Sequence, residues 1–261
     1  MTTATDTKIG PVSLAVEGAV ARIVLRRPPL NVIDIPMMEE LSRVFAEIES
    51  LSSALVIVLR GEGRAFSAGV DVAAHTPDKV EEMLGKFHAL IRALIATKKV
   101  TIASVHGACL GGGAELAMVC DVVHTADNAQ WGFPEINLGC YPPVACTALA
   151  ALVGQKRASD LILTGRTISG RDAAEIGLAT SAWPEGELGA GVEQSVNRLL
   201  QLSPAALAIA KKASYAWDSM HFDKGLARAE KVYFEDLMKT ADATEGIRAF
   251  MEKRPPKWTG K

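Results

Sequence analysis

Several features that would narrow the class of this protein are scarce or missing from its sequence. The formal net charge is only −2 over 261 residues, so no charge excess favours a nucleic acid or an anionic membrane as partner. No apolar run reaches the roughly eighteen residues that a membrane-spanning helix requires. The four cysteines form no CxxC pair, and His124, four residues after Cys120, does not complete the spacing of a zinc site. We therefore expect no nucleic acid partner, no membrane partner and no metal ion.

The N-terminal segment and the cysteines indicate the cellular location of the protein, and the composition and length indicate the size of its core. The first residues, MTTATDTKIGPVSL, lack the apolar core of a signal peptide, and cysteines spaced in this way are typical of buried, reduced thiols. Both observations predict a cytoplasmic protein. The content of 49% hydrophobic and 22% charged residues is ordinary for a globular chain, and the length allows one or two domains with a sizeable core.

Apolar patterns alternate between strand and helix along the first half of the chain. PVSLAVEGAVARIVLRR has two alternating apolar runs around Glu17 and Gly18, which predict a hairpin. Continuous apolar runs in ALVIVLRG and VTIASVHG predict buried strands, which are followed by helical patterns over residues 79–97 and in GGGAELAMVCD. An earlier helix is predicted in IPMMEELSRVFAEIESL and a short strand in DVVHTAD. This alternation predicts an α/β fold with mainly parallel strands.

The C-terminal part of the chain is predicted to be mostly helical. GQKRASDLILTG and SGRDAAEIGL have helical patterns that end at glycines. A further helical pattern runs from LSPAALAIAKKASYAW to about Lys253, and Pro255 and Pro256 prevent its continuation. We predict a core over residues 1–202 and a helical region over residues 203–261, which forms either a separate layer or an arm that docks elsewhere.

Three consecutive glycines, Gly111 to Gly113, precede Glu115 between a predicted strand and a predicted helix. The segment lacks the lysine of a phosphate-binding P-loop and the G-x-G-x-x-G pattern of a dinucleotide site, which argues against both. Two interpretations stay open. Either the glycines allow tight packing, with Glu115 as an acid favoured by the helix dipole, or their bare backbone offers an N–H to a developing oxyanion while Glu115 moves protons.

Two further segments favour the catalytic interpretation. RAFSAGVDV follows the ALVIVLRG strand as CLGGGAELA follows VTIASV, and loops after parallel strands emerge at one edge of a sheet, where ligands bind. Each loop would then offer one N–H to a single carbonyl oxygen. AQWGFPEINLG carries a second acid, Glu135, among Trp131, Phe133 and Ile136, and this acid is either on the surface or partly buried. Together these segments predict a carbonyl pocket with two carboxylates.

The ordered motifs of the chain resemble those of the crotonase, or enoyl-CoA hydratase, superfamily. The resemblance rests on RRPPLNVID, FSAGVD, HGACLGGGAELAMVCD, WGFPEINLG, ILTGRTISGRDAAEIGL and TEGIRAFMEKR, a set of motifs distributed over nearly the whole chain. It implies a crotonase-like α/β spiral of ββα turns, not a doubly wound sheet, with a C-terminal helical trimerisation region. It also implies a homo-oligomer, a trimer or hexamer, whose substrate is an acyl-CoA thioester. No cofactor is implied, because CoA is part of the substrate.

The resemblance assigns roles to four residues. Val70 and Gly112 match the positions whose N–H groups form the oxyanion hole, Glu115 matches the acid that activates water, and Glu135 matches the acid that exchanges the proton at the α-carbon. When water adds to the β-carbon of an unsaturated thioester, negative charge develops on the thioester oxygen, so the chemistry fits these groups. An enoyl-CoA hydratase is thereby implied. The alternatives are a double-bond isomerase on the same scaffold and a non-catalytic acyl-CoA-binding or RNA-binding relative.

Further positions are implied to contact the CoA part of the substrate. The lip of the first loop, from Ala68 to Asp71, and the loop from Arg26 to Leu30 would border it. Phe250 and Lys253 match a Phe-x-x-Lys pair that reaches CoA from a neighbouring subunit, while the plain alternative for Lys253 is a solvated helix charge.

The sequence departs from the family pattern after the second acid. In GCYPPVACTALAAL, Pro143 stands where a family glycine N–H helps to place the catalytic water, and proline has no N–H. Phe133 replaces a common polar residue, and Tyr141 either supplies a hydroxyl to the water or packs. PPLNVIDIPMMEEL and GCYPPVA resemble a subgroup that includes cyclohexa-1,5-diene-1-carbonyl-CoA hydratases. A less polar pocket and an alicyclic dienoyl-CoA substrate are therefore predicted.

Overall fold

Short and long strands alternate along the first two thirds of the chain. The computed structural model describes residues 10–260, with residues 216–221 described by their backbone alone. Within these residues the strands are β1 (Val12–Glu17), β2 (Val20–Leu25), β3 (Val56–Gly61), β4 (Ala65–Ser67), β5 (Val100–Val105), β6 (Ala108–Leu110), β7 (Val122–Ala126), β8 (Gln130–Gly132), β9 (Thr167–Ser169) and β10 (Ser181–Trp183).

Capping residues mark the ends of several helices. The carboxylate of Asp34 accepts the N–H of Met37 at 3.0 Å and so caps the first helix, and Gly165 ends the fifth helix in a left-handed conformation. The helices are α1 (Ile35–Ser50), α2 (Val80–Ala96), α3 (Gly112–Met118), α4 (Pro143–Val153), α5 (Gln155–Thr164), α6 (Gly170–Glu175), α7 (Leu188–Leu200), α8 (Pro204–Glu235) and α9 (Ala241–Met251).

The larger sheet contains six strands in the order β1-β2-β3-β5-β7-β10. β1 and β2 form the predicted antiparallel hairpin, with Val12 opposite Leu25 and Glu17 opposite Val20. Every other neighbouring pair in this sheet is parallel. The middle strands are buried along nearly all of their length, as their continuous apolar runs require. The predicted α/β fold with mainly parallel pairing is confirmed.

A second sheet contains the four three-residue strands β4, β6, β8 and β9, in that order. The first three are parallel and β9 is antiparallel to β8. Each turn of chain therefore places a long strand in the larger sheet, a short strand in the smaller sheet and then a helix, as in β3-β4-α2 and β5-β6-α3. This is the spiral of ββα turns that the family resemblance implied, and a doubly wound sheet is excluded.

The C-terminal helices pack on the chain to which they belong. α8 lies against α4, and α9 lies against two short helical turns, Val72–His75 and Pro134–Leu138. The ammonium group of Lys211 on α8 pairs with the Asp121 carboxylate at 2.8 Å, and it also donates to the Lys99 carbonyl at 2.9 Å. The domain boundary after residue 202 stays a prediction. No helix in the described part of the chain combines the length and apolar character needed to cross a membrane.

The cysteines only partly match the prediction that all are buried. Cys109, Cys120 and Cys140 are buried thiols, whereas Cys146 is exposed. The prediction is wrong for Cys146 because the residue lies on the surface of α4 that faces a groove beneath α8, not on the face that packs into the core. Within the described residues, no group of three or more His, Cys, Asp or Glu side chains is arranged to hold a metal ion.

Candidate active site

The three candidate loops follow neighbouring strands of the smaller sheet. β4 leads into residues 68–70, β6 leads into the glycine run at the start of α3, and β8 leads into Glu135. β4 pairs with β6 and β6 pairs with β8, all in parallel. The loops therefore emerge at the same edge, as expected, but from the short strands of the second sheet and not directly from the long strands.

The backbones of Val70 and Gly112 lie close to each other. A Cβ placed on Gly112 would come within 3.4 Å of the Val70 nitrogen and 2.6 Å of its Cγ2. Gly112 is the first residue of α3, so its N–H has no acceptor one helical turn earlier. The bridge between Val70 and Ile33 uses the Gly69 carbonyl and the Asp71 N–H, which leaves the Val70 N–H outside that bridge. Two N–H groups suited to one oxyanion are thus brought together.

Gly111 allows the Glu135 side chain to approach the helix start. Gly111 has a φ of 51°, in the left-handed region that favours glycine, and its N–H donates to the Gly132 carbonyl at 2.9 Å. A Cβ at this position would collide with Oε1 of Glu135. The glycine run therefore permits tight packing and also brings the Glu135 carboxyl next to the start of α3, which is compatible with both interpretations.

Glu115 is buried in the first turn of α3, with only 3% of its surface exposed. Its Oε1 accepts the N–H of Ala145 at 2.9 Å, at the start of α4. An acid placed only to satisfy the helix dipole would lie on the surface, because burying a charge is unfavourable. The burial therefore favours a functional role for this carboxylate.

Burial raises the pKa of both carboxyl groups, but their surroundings differ. For Glu115, the N–H groups of Ala145 and Val144 oppose the rise. For Glu135, the negative charge of Glu115 adds to the effect of burial, and its buried Oε2 has no hydrogen-bond partner in the described chain. Burial thus keeps both carboxyl groups protonated to a higher pH than usual, and the charge of Glu115 adds to this effect at Glu135.

One cavity of about 410 Å³, which we call the acid cavity, is lined by the four residues to which roles were assigned, namely Val70, Gly112, Glu115 and Glu135. Its walls are mainly apolar, so a carboxylate inside it is poorly solvated. The side chains that form these walls come from α2, from the segment after Glu135 and from the C-terminal helices, namely Met83, Leu84, Phe87, Leu138, Tyr141, Pro142, Pro143, Tyr233 and Phe250.

Comparison with known proteins agrees with this geometry. A family model described as "Enoyl-CoA hydratase/isomerase" matches residues 15–261. The chain belongs to the enoyl-CoA hydratase/isomerase family. A solved structure of an enoyl-CoA hydratase from Mycobacterium avium subsp. paratuberculosis K-10 has a TM-score of 0.87 to this chain at 27% identity, and the match covers 97% of this chain and 100% of that one. The crotonase-like fold class is thereby confirmed.

The relatives of this chain include hydratases that are named for different substrates. A cyclohexa-1,5-dienecarbonyl-CoA hydratase from Thauera aromatica is 33% identical over 242 residues, which cover 93% of each chain. A probable enoyl-CoA hydratase from Bacillus subtilis strain 168 is 35% identical over 255 residues, which cover 95% of this chain and 98% of the relative. These identities are nearly equal, so overall similarity does not separate a cyclic substrate from a linear one.

The structure places Phe133 elsewhere than predicted and decides between the two interpretations of Tyr141. The Phe133 side chain is fully buried in the core and is not part of the cavity wall, so it does not make the pocket less polar. Tyr141 lines the cavity, but its hydroxyl donates to the Ala229 carbonyl at 2.6 Å. Of the two interpretations of Tyr141, packing is the one that the structure shows. Pro143 does lie in the cavity wall, at the start of α4.

The loop from Arg26 to Leu30 adjoins the first oxyanion loop, although it does not reach the acid cavity. The Ala68 N–H donates to the Leu30 carbonyl at 2.8 Å, while Arg26 pairs with Glu62 at 2.9 Å. Ala68 lines the cavity, whereas Asp71 caps the short helical turn that follows it by accepting the Ala73 N–H.

Asn31 is a positioning residue that the sequence analysis missed. It is fully buried, and its side-chain amide donates to the carbonyls of Ala65 at 2.8 Å and Phe66 at 3.2 Å. The Ser67 hydroxyl in turn donates to the Asn31 carbonyl at 2.8 Å. These bonds hold the loop after β2 against β4 and so fix the loop that carries Val70. An asparagine after two prolines in RRPPLNVID was the available signal, because Asn tolerates the positive φ of 50° found here.

The C-terminal residues implied to contact CoA separate into two groups. Phe250, which is 53% exposed, lines the acid cavity of its own chain, because α9 packs over the segment that carries Glu135. The implied contact of Phe250 with CoA bound to a neighbouring subunit stays a prediction. Lys253 is exposed and lies outside the cavity wall.

Proposed function

We propose that the protein is an enoyl-CoA hydratase that adds water across the double bond of an α,β-unsaturated acyl-CoA thioester. The observation that carries the proposal is the pair of carboxyl groups, Glu115 and Glu135, that line one apolar cavity with the Val70 and Gly112 backbone. Such a site supplies each group that the hydration of a conjugated thioester requires.

The thioester oxygen would accept the N–H groups of Val70 and Gly112. Negative charge develops on this oxygen as water attacks the β-carbon, and donors that are already in place stabilise that charge without reorganisation. The apolar walls strengthen this effect because they lower the local dielectric constant.

The carboxyl groups would divide the proton transfers between them. Glu115 loses its proton first, since two backbone N–H groups stabilise its charge, and it takes a proton from the attacking water. Glu135, held protonated by burial and by the Glu115 charge, delivers its proton to the α-carbon. The reaction breaks no carbon skeleton and transfers no electrons to an acceptor, so the chemistry calls for no metal or redox cofactor; CoA enters as part of the substrate.

The alternative functions make different demands on the acid pair. A double-bond isomerase needs one acid to move a proton, which Glu135 would provide alone, so the second buried acid favours hydration. A non-catalytic acyl-CoA-binding or RNA-binding relative has no use for two buried carboxyl groups whose pKa values are raised.

The hydratase proposal is tested by incubating the protein with linear and cyclic enoyl-CoA esters. Loss of the conjugated thioester absorbance, with formation of the 3-hydroxyacyl product, is the expected result. A shift of the double bond without uptake of water would indicate the isomerase instead. No change with any ester would refute both.

Within this function we propose an alicyclic dienoyl-CoA as the preferred substrate. Pro143 removes an N–H that would help to hold water, and a rigid ring restricts its own orientation before the reaction begins. The aromatic side chains of Phe87, Tyr141, Tyr233 and Phe250 in the cavity wall suit the faces of a flat ring. The named activity of the Thauera aromatica relative supports the same choice.

The substrate proposal predicts a ranking of two esters. Cyclohexa-1,5-diene-1-carbonyl-CoA is expected to be hydrated with a higher kcat/KM than crotonyl-CoA, because the flexible linear chain gains no orientation from its own structure. Initial rates of both esters, measured in parallel with one enzyme preparation, check this. The reverse ranking would assign the protein to linear short-chain substrates.

We also propose that the protein assembles as a homotrimer or a hexamer. Tyr233 is buried within its own chain, and Phe234 and Leu237 are half-buried, so these residues of the C-terminal helical region offer little free surface for assembly. Instead, an apolar groove of about 810 Å³ runs between α4, α5 and α8. Leu152, Leu163 and Val232 border it and are exposed, and an apolar patch of this kind is typical of an interface.

Assembly is expected to depend on this groove. Wild-type protein at micromolar concentration should have the mass of a trimer or a hexamer by light scattering, and Leu163→Asp should lower that mass, because Leu163 is 68% exposed at the groove and a buried charge would oppose association. Leu200→Asp, an exposed leucine on α7 outside the groove, is the matched control. A monomeric wild-type mass contradicts the proposal.

A further inference from the structure

The Tyr233 hydroxyl is a buried polar group that faces the acid cavity without a partner. Tyr233 is 1% exposed, lines the cavity, and its hydroxyl has no hydrogen-bond partner in the described chain. The same is true of Oε2 of Glu135 in the same cavity. A buried hydroxyl left unpaired is unfavourable, so a molecule that enters the cavity would supply its missing partner.

Apart from the Glu135 carboxyl, every other side-chain donor in the described part of the cavity wall is engaged or exposed. The Tyr141 hydroxyl donates to the Ala229 carbonyl, Arg254 pairs with Glu245, and the His75 ring bonds the Asp71 carbonyl through Nδ1 at 3.1 Å. Asn137 is exposed at the rim. Apart from the protonated Glu135 carboxyl, Tyr233 is thus the one buried donor without a strong acceptor among the described side chains of this wall.

The backbone at the start of α4 offers no free N–H to a water molecule bound beside Glu115. Pro142 and Pro143 have no N–H, the Ala145 N–H is taken by Glu115 at 2.9 Å, and the Val144 N–H is also directed at the Glu115 carboxylate. A water that Glu115 activates therefore needs a donor from another element, and Tyr233 on α8 projects into the same cavity.

The position of Tyr233 is well constrained. Its ring packs edge-on against Tyr141 with centroids 5.1 Å apart. The Cys140 thiol lies within hydrogen-bonding reach of the hydroxyl, but sulfur is a weak acceptor and this thiol itself donates to the Leu138 carbonyl at 3.6 Å, so a water oxygen would be the stronger partner for the hydroxyl. Burial, followed by the nearby charges of Cys140 and Glu135, raises the pKa of Tyr233 well above its usual range, so the hydroxyl keeps its proton and acts as a donor.

We propose that the Tyr233 hydroxyl holds the attacking water, in place of the N–H that is absent at Pro143. The inference rests on the proposed hydratase function. The water oxygen accepts the Tyr233 O–H while one of its protons passes to Glu115 and its oxygen bonds to the β-carbon; Glu135 gives its proton to the α-carbon. Tyr233 keeps its own proton throughout, so it orients the nucleophile and takes no part in the proton balance.

Tyr233→Phe separates this role from a structural one, because it removes the hydroxyl and keeps the ring. Hydration kcat is expected to fall about tenfold, the scale of one lost hydrogen bond. Exchange of the α-protons of a saturated acyl-CoA in D₂O should stay unchanged, since that exchange needs Glu135 and the oxyanion hole but no attacking water. Tyr215→Phe removes a hydroxyl from the same helix outside the acid cavity and should leave both rates unchanged.

The outcomes separate this proposal from the function on which it rests. If Tyr233→Phe hydrates the ester with the same kcat as the wild-type protein, the Tyr233 assignment alone is overturned. A parallel fall of hydration and α-proton exchange would also overturn it, because the tyrosine would then support Glu135 or the fold. A wild-type protein that hydrates none of the esters would refute the hydratase function itself.

Discussion

Glu135→Gln is expected to lower hydration by at least about a hundredfold, the scale of a positioned acid. It should equally suppress exchange of the α-protons of a saturated acyl-CoA in D₂O, because an amide neither donates nor removes that proton. The substitution keeps the size of the side chain and removes a carboxyl whose burial is unfavourable, so thermal stability should not fall. Near-normal turnover would remove Glu135 from the mechanism.

Glu115→Gln tests the division of labour within the pair. Hydration should again fall by at least about a hundredfold, while α-proton exchange should persist, because Glu135 and the oxyanion donors remain. The amide oxygen of Gln still accepts the Ala145 N–H that Glu115 Oε1 accepts at 2.9 Å, so the fold should be retained. If exchange were lost with hydration, the assignment of separate roles to the two acids would be wrong.

Gly111→Ala is expected to lower the hydration rate by about a hundredfold, because the new side chain would displace the carboxyl group of Glu135. The new Cβ would collide with Oε1 of Glu135, the mobile end of a side chain, so the carboxyl group would move while the backbone stays. A displacement of about 1 Å at reacting groups has an effect of this size. Steady-state hydration rates and the melting temperature should be measured together.

Gly18→Ala is the matched control for this variant. Gly18 has a φ of 60°, close to the 51° of Gly111, and a Cβ there meets no heavy atom within 4 Å. Both variants place an alanine at a positive φ and should therefore lose some stability, but only Gly111→Ala should lose activity. Equal activity in the two variants would contradict the role assigned to the Gly111–Glu135 contact.

Local sequence patterns were sufficient for the long elements and for the acid pair. The hairpin, the buried strands β3 and β5 and the helix over residues 80–96 follow from apolar periodicity, because each is long enough to repeat its pattern several times. Glu115 and Glu135 were found since an acid beside glycines or large apolar residues is unusual in any sequence. The motifs RRPPLNVID and HGACLGGGAELAMVCD were specific enough to indicate the family, which the match over residues 15–261 confirms.

Contacts between segments that are distant in the sequence could not be predicted from local patterns. The strands β4, β6 and β8 have three residues each, too few to show a period, yet they align the three candidate loops at one edge of the smaller sheet. The same limit applies to side-chain direction: Phe133 turns into the core, and the Tyr141 hydroxyl turns to Ala229. Tyr233 lies 98 residues after Glu135 in a long helix whose pattern marks no site. Its hydroxyl reaches the acid cavity only because α8 packs on α4, and packing between remote elements depends on the shape of both surfaces, which neither segment encodes alone.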